Sequence, residues 1–124
     1  MDEQNTRGIL ILELLEKVVE ACEDRKAEQC TVLNMQSLTP VADYYVICHG
    51  NNERQVQAIA RSVKNALDEK GIDVQRMEGF EQARWVLIDA GGIICHIFHK
   101  DERGYYNLER LWGDADEVHV GENQ

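Results

Sequence analysis

Ile11, Leu14, Leu15, Val18 and Cys22 recur at steps of three and four residues, with Glu13, Glu16, Lys17, Glu20 and Glu23 between them. That spacing predicts an amphipathic helix over about residues 7–24. Cys30-Thr31-Val32-Leu33-Asn34-Met35 is short and β-branched and reads as a strand, which Ser37-Leu38-Thr39-Pro40 interrupts. Tyr44–Cys48 is a near-continuous apolar run, the pattern of a strand covered on both faces. A second helix follows, with Asn52 as N-cap, Gln55 three residues on, and Val56, Ile59, Ala60, Val63 and Leu67 as its apolar stripe. Gly71 stands where a C′ glycine belongs. Asp73–Glu78 reads as a weaker strand ending at Gly79. The apolar runs Trp85–Ile88 and Ile93–Phe98 flank Asp89-Ala90-Gly91-Gly92 and predict a hairpin with helices on either side. Asp101 can cap a short helix through Tyr106, with a further turn at Asn107–Leu111. The order α-β-β-α-β-β-β-α predicts an α/β fold, a three-layer α-β-α arrangement around a central mixed sheet of about five strands.

Size and charge narrow the function. The chain has 124 residues, 44% hydrophobic and 29% charged, with one Pro and nine Gly. This composition predicts one folded unit, residues 1–113, followed by an acidic tail, residues 114–124, and leaves no linker between domains. Thirteen basic against 23 acidic residues give a net charge of −10. So acidic a surface is a poor holder of a phosphate backbone, and DNA is not an expected partner. Asp114, Asp116, Glu117 and Glu122 follow Gly113 with no Lys or Arg, a pattern that is either solvation or steering toward a basic partner. The start is acidic and Ile9–Leu12 is only four residues long, so neither a secretory signal nor a membrane span is expected. Cys22, Cys30, Cys48 and Cys95 show no C-x-x-C spacing and sit among apolar residues. A cytoplasmic protein with reduced thiols is the expectation.

No arrangement of residues announces catalysis. His96 and His99 lie three apart on a strand, so their rings point to opposite faces and should not converge on a metal. The neighbours Cys48-His49 and Cys95-His96 face opposite ways for the same reason. Gly50-Asn51-Asn52 joins a strand to a helix, as nucleotidyltransferase sites begin, yet the Asp-x-Asp at 114–116 lies far past the sheet and no P-loop is present. No cofactor, metal or catalytic residue is expected. Trp85 on its strand, and Tyr105, Tyr106 and Trp112 near the end, suit either a core or a binding hot spot. A binding module therefore leads over an enzyme.

Ala42–Gly50, Glu78-Gly79 with Trp85–Asp89, His96–His99 and the closing run Arg103–Ala115 resemble the ribosomal silencing factor family (RsfS, also called Iojap-like) across about residues 8–115. One departure is Gly91-Gly92, where the family commonly has Gly-Asp. The resemblance implies a nucleotidyltransferase-like core without catalytic carboxylates. It implies a translation repressor that binds ribosomal protein L-fourteen on the large ribosomal subunit, blocks subunit joining when nutrients are scarce, and forms homodimers. Trp85 falls at the family's binding tryptophan, with Glu78, Asp89 and Tyr106 as further contact candidates. A large-subunit assembly adaptor and a nucleotide-binding enzyme remain the alternatives.

Overall fold

The computed structural model describes the backbone of residues 3–120 and the side chains of residues 11–120. The chain runs α1 (Glu3–Asp24), β1 (Glu28–Asn34), β2 (Tyr44–Gly50), α2 (Glu53–Glu69), β3 (Arg76–Glu78) and β4 (Trp85–Asp89). It continues through β5 (Ile93–His99), α3 (Lys100–Tyr106), α4 (Leu108–Leu111) and β6 (Asp116–Val118). The strands form one mixed sheet in the order β3-β4-β5-β2-β1-β6, in which only β2 and β5 are parallel. The α/β class is as read from the pattern, but the sheet has six strands rather than about five. The additional strand, β6, comes from residues 116–118, where no apolar run marks it, and pairs antiparallel with β1.

Helices α1 and α2 pack side by side on one face of the sheet. Leu15, Val18 and Cys22 from α1 and the whole predicted stripe of α2 meet Val46, Cys48, Val86, Ile88, Ile93, Cys95 and Ile97. Asn52 caps α2 as expected: its side chain accepts from Gln55 N at 2.8 Å. The other end closes as a Schellman motif, with Gly71 N bonded to Asp68 O, Ile72 N bonded to Leu67 O, and Gly71 at φ +72°. The hairpin is also as expected. Gly91 at φ +94° occupies the first central position of a two-residue turn, and Ala90 N donates to Ile93 O at 2.9 Å.

The opposite face is covered differently from the expectation. β5 is buried along its whole length, whereas β4 alternates, with Val86 and Ile88 buried and Trp85, Leu87 and Asp89 half-buried. Among the described residues no long helix lies over β4 on that side; α3, α4 and the β1–β2 loop cover only part of the sheet. Leu33, Met35, Tyr45, Ile47, Ile94, Phe98 and Leu108 form this second, smaller core. His99, not Asp101, caps α3: its Nδ1 accepts from Asp101 N at 3.2 Å, because the strand delivers the imidazole directly to the first free N–H.

Candidate docking face

The side of β4 and β5 that faces away from α1 and α2 is paved with rings. In antiparallel register Trp85 stands opposite Phe98 and Leu87 opposite His96, so all four side chains share one face. The Trp85 ring lies 5.1 Å from Phe98 and 4.6 Å from Tyr106. Its indole Nε1 donates to His96 Nδ1 at 3.1 Å. His96 meets Tyr45 edge-on at 4.6 Å, and Tyr45 in turn meets Trp112 at 6.2 Å. On the far side Tyr105 stands edge-on to Tyr106 at 5.1 Å. The rings form a continuous chain whose outer end is open: Tyr105 is 80% exposed and Tyr106 43%.

His96 is the unusual member. An indole N–H can only donate, so Nδ1 is the acceptor and the ring proton sits on Nε2. That Nε2 is buried and has no hydrogen-bond partner among the described residues. Burial pushes the His96 pKa down to about 4, so the ring is neutral at pH 7. Burial likewise raises the Tyr45 phenol above its usual range.

The closing run is held to the sheet by Arg103, a buried cation. Its Nε and Nη2 both donate to Glu109 Oε2, at 2.9 and 2.6 Å. Nη1 donates to Glu28 O at 3.2 Å and lies 3.0 Å from His49 Nδ1. Between Arg103 and Glu109, Asn107 adopts the left-handed conformation, ends α3 and starts α4 with its own side chain. One guanidinium thereby fixes both short helices against β1 and β2 and sets where Tyr105, Tyr106 and Trp112 stand.

Of the four residues nominated from sequence, Trp85 and Tyr106 come together and Glu78 and Asp89 lie apart from them. Asp89 shares the face of Trp85 but sits four residues along β4, roughly 13 Å away at strand rise. Its Oδ1 accepts from Gly91 N at 2.9 Å, and its Oδ2 lies 3.8 Å from Arg76 Nε. Glu78 pairs with the same Arg76 at 3.3 Å. The two acids and Arg76 thus form a polar rim beside an apolar centre, the usual anatomy of a recognition patch. Tyr45, Leu87, His96, Phe98 and Arg103 were not nominated. Alternation along β5, where Ile94, His96 and Phe98 face one way, was the available signal for the strand residues; Arg103 had none, since its partners come from three other elements.

The Gly50–Asn52 turn is filled by its own chain. Gln55 Oε1 accepts from Asn51 N at 2.7 Å, Gln55 Nε2 donates to Arg25 O and Lys26 O, and Asn51 Nδ2 donates to Glu28 Oε2. A Cβ on Gly50 would already lie 3.2 Å from Val56. A groove of about 520 Å³ between α1 and the end of α2, lined by Ile11, Leu14, Lys17 and Ile72, lies across the sheet from the rings.

Fold and face together define a mixed α/β domain with one side covered by long helices and one partly covered aromatic side. Residues 10–124 match the family model described as "Ribosomal silencing factor during starvation". The chain belongs to the ribosomal silencing factor family. It is 57% identical over 108 residues to Ribosomal silencing factor RsfS of Halalkalibacterium halodurans, covering 87% of this chain and 92% of that protein. It is 57% identical over 102 residues to the protein of the same name from Bacillus subtilis, covering 82% and 86%. Arabidopsis thaliana Protein Iojap-related, mitochondrial, is 30% identical over 113 residues, covering 87% of this chain and 59% of that protein. Among solved structures, a Bacillus halodurans protein superposes with TM-score 0.78 at 54% identity, covering 87% of this chain and 98% of that one. A Chromobacterium violaceum protein gives TM-score 0.80 at 34% identity, covering 90% and 92%.

Proposed function

We propose that this protein binds the large ribosomal subunit through ribosomal protein L-fourteen and acts by occupancy, without turnover. Seated there, it excludes the small subunit and represses translation in the cytoplasm when nutrients are limiting. The observation that carries this reading is the Trp85–Tyr106 ring cluster, half-buried on the side of the sheet that no long helix covers among the described residues. Trp85 supplies the central contact, Tyr106 adds area, and Glu78 and Asp89 on the rim answer basic groups of the partner. The net charge of −10 suits a basic ribosomal protein better than ribosomal RNA. A nucleotidyltransferase-like activity is disfavoured because the strand–turn–helix that would cradle phosphate is capped by Gln55 and flanked by Glu28. Homodimers in isolation belong to the same proposal.

The test is co-sedimentation with separated ribosomal subunits, followed by addition of the missing subunit. The protein should pellet with the large subunit alone and prevent whole ribosomes from forming. Trp85→Ala should lower that affinity by more than ~2 kcal/mol, and Tyr106→Ala by about 1 kcal/mol, while both variants still unfold cooperatively. Unchanged binding by folded Trp85→Ala would remove the ring cluster from the interface.

A further inference from the structure

The loop that delivers Trp85 to the ring cluster, residues 79–84, is seated on one stripe of α2. Glu53, Gln57 and Arg61 recur every four residues and so share a face of that helix. Arg61 lies over the Phe80 ring at 5.1 Å, Gln57 Nε2 donates to Phe80 O at 3.0 Å, and Glu53 Oε2 accepts from Arg84 Nη1 at 3.3 Å. The loop's backbone is tight as well. Gly79 has φ +81°, and a Cβ there would collide with Trp85 O. Ala83, wholly buried at φ +56°, donates its N–H to Gly79 O at 2.9 Å. Arg84 also reaches α3: its Nη2 and Nε donate to Glu102 Oε1 at 2.7 and 3.1 Å.

We infer that Arg84 is a positioning residue of the docking face, which sets Trp85 against Tyr106 by holding Glu102; the inference rests on the proposed function of that face. Arg84 and Trp85 are consecutive, and their partners Glu102 and Tyr106 stand one helical turn apart on α3. The chain entering β4 therefore meets α3 at two points, an ion pair and a ring pair at 4.6 Å. Arg103 ties α3 toward β1 and β2, and Arg84 ties it toward β4. A helix of seven residues has too few internal hydrogen bonds to hold its own course, so without the second tie Tyr106 drifts from Trp85. Arg84 is 40% exposed, and the pair adds little to global stability. What it supplies is order: rings already apposed need not be arranged when the partner arrives.

The experiment compares Arg84→Met, Glu102→Met and the double variant with the unsubstituted full chain. Two readouts are taken: affinity for isolated ribosomal protein L-fourteen, and the nuclear Overhauser contact between the Trp85 indole and the Tyr106 ring. Each single variant should weaken that contact and lower affinity about fivefold, and the double variant should do no worse than either. Charge alone gives a different pattern. Losing Arg84 makes the chain more acidic and losing Glu102 makes it less so, and a basic partner would then bind the first variant more tightly and the second more weakly. Such opposite shifts, an unchanged affinity, or a ring contact unchanged in both variants would each overturn the positioning role. Failure of L-fourteen to bind the unsubstituted chain would instead sink the proposed function, and the ring contact then decides the positioning role by itself. Should Arg84→Met fail to fold, Glu102→Met decides alone.

Discussion

Trp85 is held by its edge and by its face: its N–H by His96 and its ring by Phe98 and Tyr106. A large ring so fixed loses little further freedom when a partner covers it, which favours an anchor role. The burial of His96 also ties stability to pH. Free histidine titrates near 6.5 and His96 in the fold near 4, so between these values the unfolded chain binds a proton that the folded chain does not. Stability is therefore complete above pH ~6.5 and is lost as pH falls toward 4, by an amount of order 3 kcal/mol. Urea unfolding at about pH 7 and pH 4.5 should show that loss in the native chain and a smaller one in His96→Phe. Equal losses in both would take His96 out of the account.

At the scale of elements, the closing run is two helices too short to stand alone, joined at a left-handed Asn107 and clasped by an ion pair between buried Arg103 and half-buried Glu109. Removing the cation leaves Glu109 partly buried and Glu28 O without its donor. Arg103→Met should cost about 2–3 kcal/mol, and adding Glu109→Gln should restore part of it; calorimetric melting of the three proteins measures both. Strictly additive losses would mean that the pair is not coupled. The same element explains what sequence could reveal. The stripes of α1 and α2, the Asn52 cap, Gly71 and the Gly91-Gly92 turn are local patterns, and each appears where its spacing put it. Arg103 draws its partners from β1, β2 and α4, so no window of sequence contains its environment. The half-open state of β4 was hidden for a related reason. Trp85-Val86-Leu87-Ile88 is apolar throughout, and an apolar run looks the same under a helix as under nothing.

Across the whole molecule, charge and shape act together. The ring cluster was legible as a set of aromatics and, through the family resemblance, Trp85 and Tyr106 as contact candidates; its geometry needed the register of β4 on β5. The acidic surface should speed the approach to a basic partner. The association rate with large subunits, followed by stopped flow, should fall by roughly tenfold between about 50 and 300 mM salt, while dissociation changes little. A flat salt response would mean that the charge serves solubility alone.

The two rims of the sheet carry one more consequence. β3 and β6 are the outermost strands, each three residues long, and they read Arg-Met-Glu and Asp-Glu-Val. Were two copies to join their sheets across a twofold axis, each rim would meet itself in antiparallel register, and at β6 the register that sets Asp116 against the copy's Glu117 brings acid to acid. Little backbone is offered and the carboxylates repel, so the sheet resists growth by strand addition from that side. Two molecules that meet do so through side chains on a face or through the short β3 rim, and the acidic β6 rim keeps strand addition from running on into fibres.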